Sequence, residues 1–128
     1  MNDQPTVSPK RQGLSRIWHA FFNSAEGLRS GWSEPAFRQE AILAALLLPG
    51  AWWLGQSWAE TVILVGVVLA VLVVELLNTA VEAAIDRVGP QWHVQSKRAK
   101  DTASAAVLLS LLLYGGVWLS ALWRWWAS

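Results

Sequence analysis

Hydrophobic and polar positions along the chain predict four helices and an all-α fold. Over Leu14–Leu28 the apolar residues Leu14, Ile17, Trp18, Phe21, Phe22, Ala25 and Leu28 recur at helical spacing. Arg16, His19, Asn23, Glu26 and Arg29 fall off that stripe. Two aromatic pairs with flanking arginines predict a surface helix over 14–30 lying in a membrane interface. Ser30-Gly31 is expected to end it. A second helix is expected over about 34–55, with Ser33 or Glu34 as cap, Pro35 in its first turn and a kink at Pro49. It is apolar from Ala41 and reaches about 28 Å at 1.5 Å per residue, close to one bilayer core. After a loop at Gln56–Glu60 a third helix is expected over about 59–88, closed by Gly89 and Pro90. A polar loop, Gln91–Lys97, leads to a fourth helix over 97–126, with Ser96 as cap. The last three helices read as membrane spans.

One stripe breaks the apolar pattern of the third helix. Thirteen apolar residues, Val62–Val74, precede Glu75; Asn78, Thr79, Glu82 and Asp86 follow. At about 100° per residue all five fall within about 60° of Glu75 on one helix face. A carboxylate toward the middle of a membrane helix costs about 2.5–3.5 kcal/mol on insertion scales. Several on one face need a cation, a metal, a proton or a water-filled site to offset them, so the stripe is the candidate active site.

Composition narrows the field. The chain has 128 residues, 54% hydrophobic, with ten tryptophans and mean hydropathy +0.32. That length allows one domain, 14–128, behind a polar leader over Met1–Gly13 expected to be disordered. No apolar run follows Lys10 and Arg11, so the leader is not read as a signal peptide. The net charge of +1 gives no argument for nucleic acid, and the lack of cysteine removes disulfides and thiolate chemistry. His19 and His93 stand apart, which disfavours zinc, whereas carboxylates around a polar mouth suit Mg²⁺.

Charge also predicts orientation. Lys10, Arg11, Arg16, Arg29 and Arg38 precede the first span, and Arg87, Lys97, Arg98 and Lys100 lie between the second and third. The positive-inside rule then places the N-terminus in the cytoplasm and the C-terminus outside. Trp52, Trp53, Trp58, Trp118, Trp123, Trp125 and Trp126 are expected at the outer interface, and Trp18, Trp32 and Trp92 at the inner one. Glu34, Arg38, Glu40, Glu82, Asp86, Lys100 and Asp101 then lie near the cytoplasmic surface, with Glu75 about 10 Å deeper than Glu82. No P-loop, dinucleotide fingerprint or protein-kinase motif is present. Spacing alone leaves a membrane protein with a carboxylate site, which fits a lipid-directed enzyme, a proton-coupled transporter or a structural subunit.

The segment Glu75-Leu-Leu-Asn78-Thr-Ala-Val-Glu82-Ala-Ala-Ile-Asp86-Arg87 resembles the signature of the prokaryotic diacylglycerol kinases. Ala36-Phe37-Arg38-Gln39-Glu40 and Arg98-Ala99-Lys100-Asp101 followed by Ser104-Ala105-Ala106-Val107 are similar to two further segments. The resemblance implies a homotrimer with three spanning helices and a surface helix per subunit. It implies transfer of the γ-phosphoryl of MgATP to the hydroxyl of diacylglycerol, or of undecaprenol in related members. By matching position it implies Glu75 as general base and Glu34 and Glu82 as Mg²⁺ ligands. Arg16, Glu34, Asn78, Glu82, Gln91, Trp92, His93, Lys100 and Asp101 would meet ATP. Arg29, Trp32, Arg38, Gln39, Glu40, Glu75 and Ser104 would border the lipid. The stretch from Trp32 to Glu34 is one residue shorter than the family pattern, and Gln91 stands where an acid often precedes the aromatic.

Overall fold

The computed structural model describes residues 13–128, and those residues form helices only: α1 (Leu14–Ser33), α2 (Pro35–Leu54), α3 (Trp58–Val88) and α4 (Val94–Ala127). Residues 1–12 of the expected leader lie outside the described residues.

Helix α1 does not stop at Ser30-Gly31. It runs on to Ser33, because Gly31 serves as a contact surface rather than a breaker. A Cβ at Gly31 would lie 2.5 Å from Leu76 Cδ2 and 3.3 Å from Phe37 Cδ1, so the missing side chain lets α1 approach α3. Elsewhere α1 is exposed along its whole length, Trp18, Phe21 and Phe22 included. The turn into α2 is minimal. Glu34 is extended (φ −81°, ψ 126°), its N–H bonds the Gly31 carbonyl, and Pro35 opens the next helix. Glu34 caps by backbone geometry only, without a side-chain bond. Pro49 lies inside α2, which continues past it to Leu54.

The next turn is shorter than expected. Only Gly55–Ser57 separates α2 from α3, and Ser57 caps α3 by accepting from the Glu60 N–H at 3.2 Å. At the far end Gly89 takes φ 136°, a value that favours glycine, and Pro90 prevents continuation. The following cap is His93 rather than Ser96: His93 Nδ1 accepts from the Gln95 N–H at 3.1 Å. Gln95, Ser96 and Lys97 are therefore helical.

Helices α3 and α4 form an antiparallel hairpin, and α2 packs mainly on α3. The core between them comprises Ala44, Ala51, Leu54, Leu64, Val68, Val71, Tyr114, Trp118 and Ala121. Trp118 belongs to this core and not to the expected interfacial belt. Its indole Nε1 donates to the Leu64 carbonyl at 3.2 Å, which satisfies a donor that the core would otherwise strand. The other nine tryptophans are exposed.

Helices α3 and α4 are long and apolar enough to cross a membrane. Only 28% and 17% of their most apolar stretches are buried, so these are not the core helices of a soluble protein. Exposed Leu69, Val73 and Leu77 on α3, and Leu108, Leu109, Leu112 and Leu113 on α4, continue the same surface.

Candidate active site

The stripe read from the sequence lies on one continuous helix. Glu75 is 5% exposed and follows the buried series Leu64, Val68 and Val71 at spacings of three and four. About one turn on, Asn78 Nδ2 donates to Glu82 Oε1 at 3.3 Å, while Asn78 Oδ1 is buried without a partner. Thr79 is half-buried beside them.

Glu40, which the resemblance placed with Glu75 among the residues bordering the lipid, is half-buried on α2, the helix that packs mainly on α3.

A second group of predicted residues converges at the α3–α4 turn. Gln91, Trp92, His93, Lys100 and Asp101 line one cavity of about 390 Å³ together with Ile85, Asp86, Gly89, Pro90, Ser96 and Lys97. Two ion pairs organise its wall. Lys100 Nζ lies 2.6 Å from Asp86 Oδ1, and Lys97 pairs with Asp101 one helical turn away. Asp86 belonged to the candidate stripe read from the sequence, but no ligand was assigned to it there. Lys97 read only as a topology determinant. The cavity offers cationic and hydrogen-bonding groups beside an exposed indole, Trp92.

The remaining predicted residues are spread more widely. Arg16 and Arg29 are exposed on α1, and Gln39 and Ser104 are exposed on α2 and α4. Arg38 Nη1 donates to the Trp32 carbonyl at 3.4 Å, tying the start of α2 to the end of α1. Glu34 sits half-buried in the α1–α2 turn. A groove of about 500 Å³ runs between α1 and α3 from Ser24 and Gly27 to Leu76, Thr79 and Ala83, its wall mostly apolar.

Among the described residues no three His, Cys, Asp or Glu side chains are gathered to hold a metal. The donors present are nonetheless those of a hard cation: the Glu82 carboxylate and the partnerless Asn78 Oδ1 on one face. Mg²⁺ is commonly held by one or two carboxylates, with substrate phosphates and water completing the shell, and this donor set fits that use.

Comparison with known proteins now decides the family. The model of the prokaryotic diacylglycerol kinases matches residues 22–122. The chain belongs to the prokaryotic diacylglycerol kinase family. It is 42% identical to the diacylglycerol kinase of Escherichia coli strain K12 over 112 residues, covering 87% of this chain and 92% of that one. It is 41% identical to the Haemophilus influenzae diacylglycerol kinase over 110 residues (85% and 93%), and 39% identical to that of Pseudomonas aeruginosa over 119 residues (92% and 97%). Membership of a kinase family leaves the transporter and structural-subunit readings without support. The match spans all three segments that carried the resemblance, from Ala36 to Val107.

Proposed function

We propose that this protein phosphorylates the hydroxyl of diacylglycerol with ATP, giving phosphatidic acid at the cytoplasmic face of a bacterial inner membrane. Family membership fixes the reaction class, and the burial of Glu75 behind thirteen apolar residues of α3 carries the mechanism. A lipid hydroxyl stays near the interface, so the base that receives its proton must project from within the membrane. ATP cannot enter lipid, so the groups that hold its phosphates belong at the polar end of the helices.

In this reading Glu75 accepts the proton as the hydroxyl oxygen forms its bond to the γ-phosphorus. The bond from that phosphorus to the β–γ bridging oxygen breaks, and ADP leaves with that oxygen. Glu75 later releases its proton to water. Glu82 and Glu34 would hold Mg²⁺, which neutralises charge on the β- and γ-phosphates when bound. Asn78 orients Glu82 through their hydrogen bond. Lys100 and Asp101 serve the phosphates, and Arg16, Gln91, Trp92 and His93 the nucleoside side. Arg29, Trp32, Arg38, Gln39, Glu40 and Ser104 border the lipid.

The reading extends to architecture. Helix α2 is a third span: its 20 residues reach about 30 Å. The protein functions as a homotrimer with sites shared between subunits, an association that would cover the polar stripe of α3. The N-terminus lies in the cytoplasm and the C-terminus outside.

The test is transfer of labelled γ-phosphate into membranes reconstituted with the purified protein. Phosphatidic acid formed from diacylglycerol and MgATP supports the reading, and no lipid product overturns it. Undecaprenol assayed side by side separates the two lipid kinases of the family. The mass in mild detergent tests the trimer, and a fully active monomer excludes it.

A further inference from the structure

Asp86 is the acid of the polar stripe to which the proposed reaction gives no part. Its position is unfavourable for α3 taken alone. It lies in the last turn of a helix that ends at Val88, where a carboxylate meets the negative end of the helix dipole. It also stands four residues after Glu82, and like charges at that spacing repel on a helix. The compensating charge comes from the other arm of the hairpin: Lys100 Nζ lies 2.6 Å from Asp86 Oδ1.

The need is mutual. On α4 the positions three and four residues from Lys100 are Ser96, Lys97, Ala103 and Ser104, none of them acidic. The acid beside it in sequence, Asp101, pairs with Lys97. The anchor for the Lys100 ammonium is therefore supplied by α3. A lysine is a point charge on a flexible four-carbon stem, and it has no fixed aim until something holds it. The Asp86 contact takes one of its three N–H donors and leaves two for another acceptor. Asp86 and Lys100 line one cavity with Gln91, Trp92, His93 and Asp101.

We propose that Asp86 is a positioning residue: it holds the Lys100 ammonium across the α3–α4 turn and so presents the remaining N–H groups to the phosphates of ATP. Asp86 acts through Lys100 and not on the nucleotide, whose charge has its own sign. An ammonium already ordered by Asp86 loses less freedom when the phosphates arrive, and the saving appears as affinity for ATP. This role rests on the reading of Lys100 as a phosphate contact of a lipid kinase.

The test is equilibrium dialysis of labelled ATP with Mg²⁺ against the reconstituted full-length protein, which reads binding whether or not a variant turns over. Asp86→Asn should raise the Kd for ATP about two- to fivefold, the range of one exposed ion pair, with the melting temperature unchanged. Asp86→Glu, which keeps the carboxylate, should stay within about twofold of wild type. In a Lys100→Met background Asp86→Asn should have no further effect, because the group it acts through is gone. An unchanged or lowered Kd in Asp86→Asn overturns the proposal; a lowered one would make Asp86 a competitor of phosphate for Lys100. An equal rise in both backgrounds overturns it, as does a rise matched by lost thermal stability or an Asp86→Glu variant as weak as Asp86→Asn. The labelled-phosphate assay on wild type separates the two hypotheses: no lipid product defeats the kinase reading, whereas an active wild type with an Asp86→Asn variant that binds ATP equally well defeats this one alone.

Discussion

Lys100 Nζ lies 2.6 Å from Asp86 Oδ1, joining α4 to α3 across the Gly89–His93 turn. Both side chains are substantially exposed, 41% and 68%. The pair therefore contributes little to stability, because water and salt screen it. Its place on the wall of the α3–α4 cavity points instead to ligand handling. Lys100→Ala should raise KM for ATP about tenfold or more, as expected for loss of a charge-assisted contact to phosphate. The melting temperatures of Lys100→Ala and Asp86→Ala should stay near that of the wild type. ATP titrations and thermal melts of the two variants check both statements.

Glu75→Gln keeps the size of the side chain and removes its basicity. Turnover should fall about 10²–10⁴-fold, the range spanned by general-base contributions. ATP binding should survive, since the nucleotide groups lie toward the polar end of the hairpin. Single-turnover kinetics with equilibrium ATP binding would separate the two. A near-normal kcat would remove Glu75 as the base.

Glu82 bears on the metal. Asn78 already holds one of its oxygens, leaving the other for a cation. Glu82→Gln should shift half-maximal activity to a several-fold higher Mg²⁺ concentration. An Mg²⁺ titration that superimposes on wild type excludes Glu82 as a ligand.

Gly31 admits no side chain without movement of Leu76 or Phe37. Gly31→Ala should destabilise the protein by about 1–3 kcal/mol, the usual cost of overpacking. The expected sign is opposite to that of a glycine-to-alanine change in an open helix, where the gain in helix propensity dominates. Differential scanning in detergent reads the sign directly.

The sequence was most legible where one helix carried the whole signal. Glu75, Asn78, Thr79 and Glu82 share a face because helical periodicity puts them there, and no partner is needed to see it. It was least legible where the meaning depends on a neighbouring helix. Glu40 lies on α2, which packs against the helix carrying Glu75, and Asp86 meets Lys100 fourteen residues on, relations that neither helix's pattern encodes. Ser30-Gly31 reads locally as a stop, yet the packing of Leu76 against the missing Cβ outweighs glycine's low helix propensity. The His93 cap was hidden similarly, since Ser96 is the better intrinsic capper and lost to a histidine three residues earlier.

Trp118 gives the hairpin a built-in optical gauge. Nine indoles sit on the outside, where their emission follows the surrounding amphiphile. Trp118 alone is enclosed and bonded to the Leu64 carbonyl. If the nine were replaced by phenylalanine, the surviving fluorophore would report a single event, the parting of α3 from α4. The onset of that spectral change would mark the moment at which Glu75 loses the enclosure that its chemistry requires.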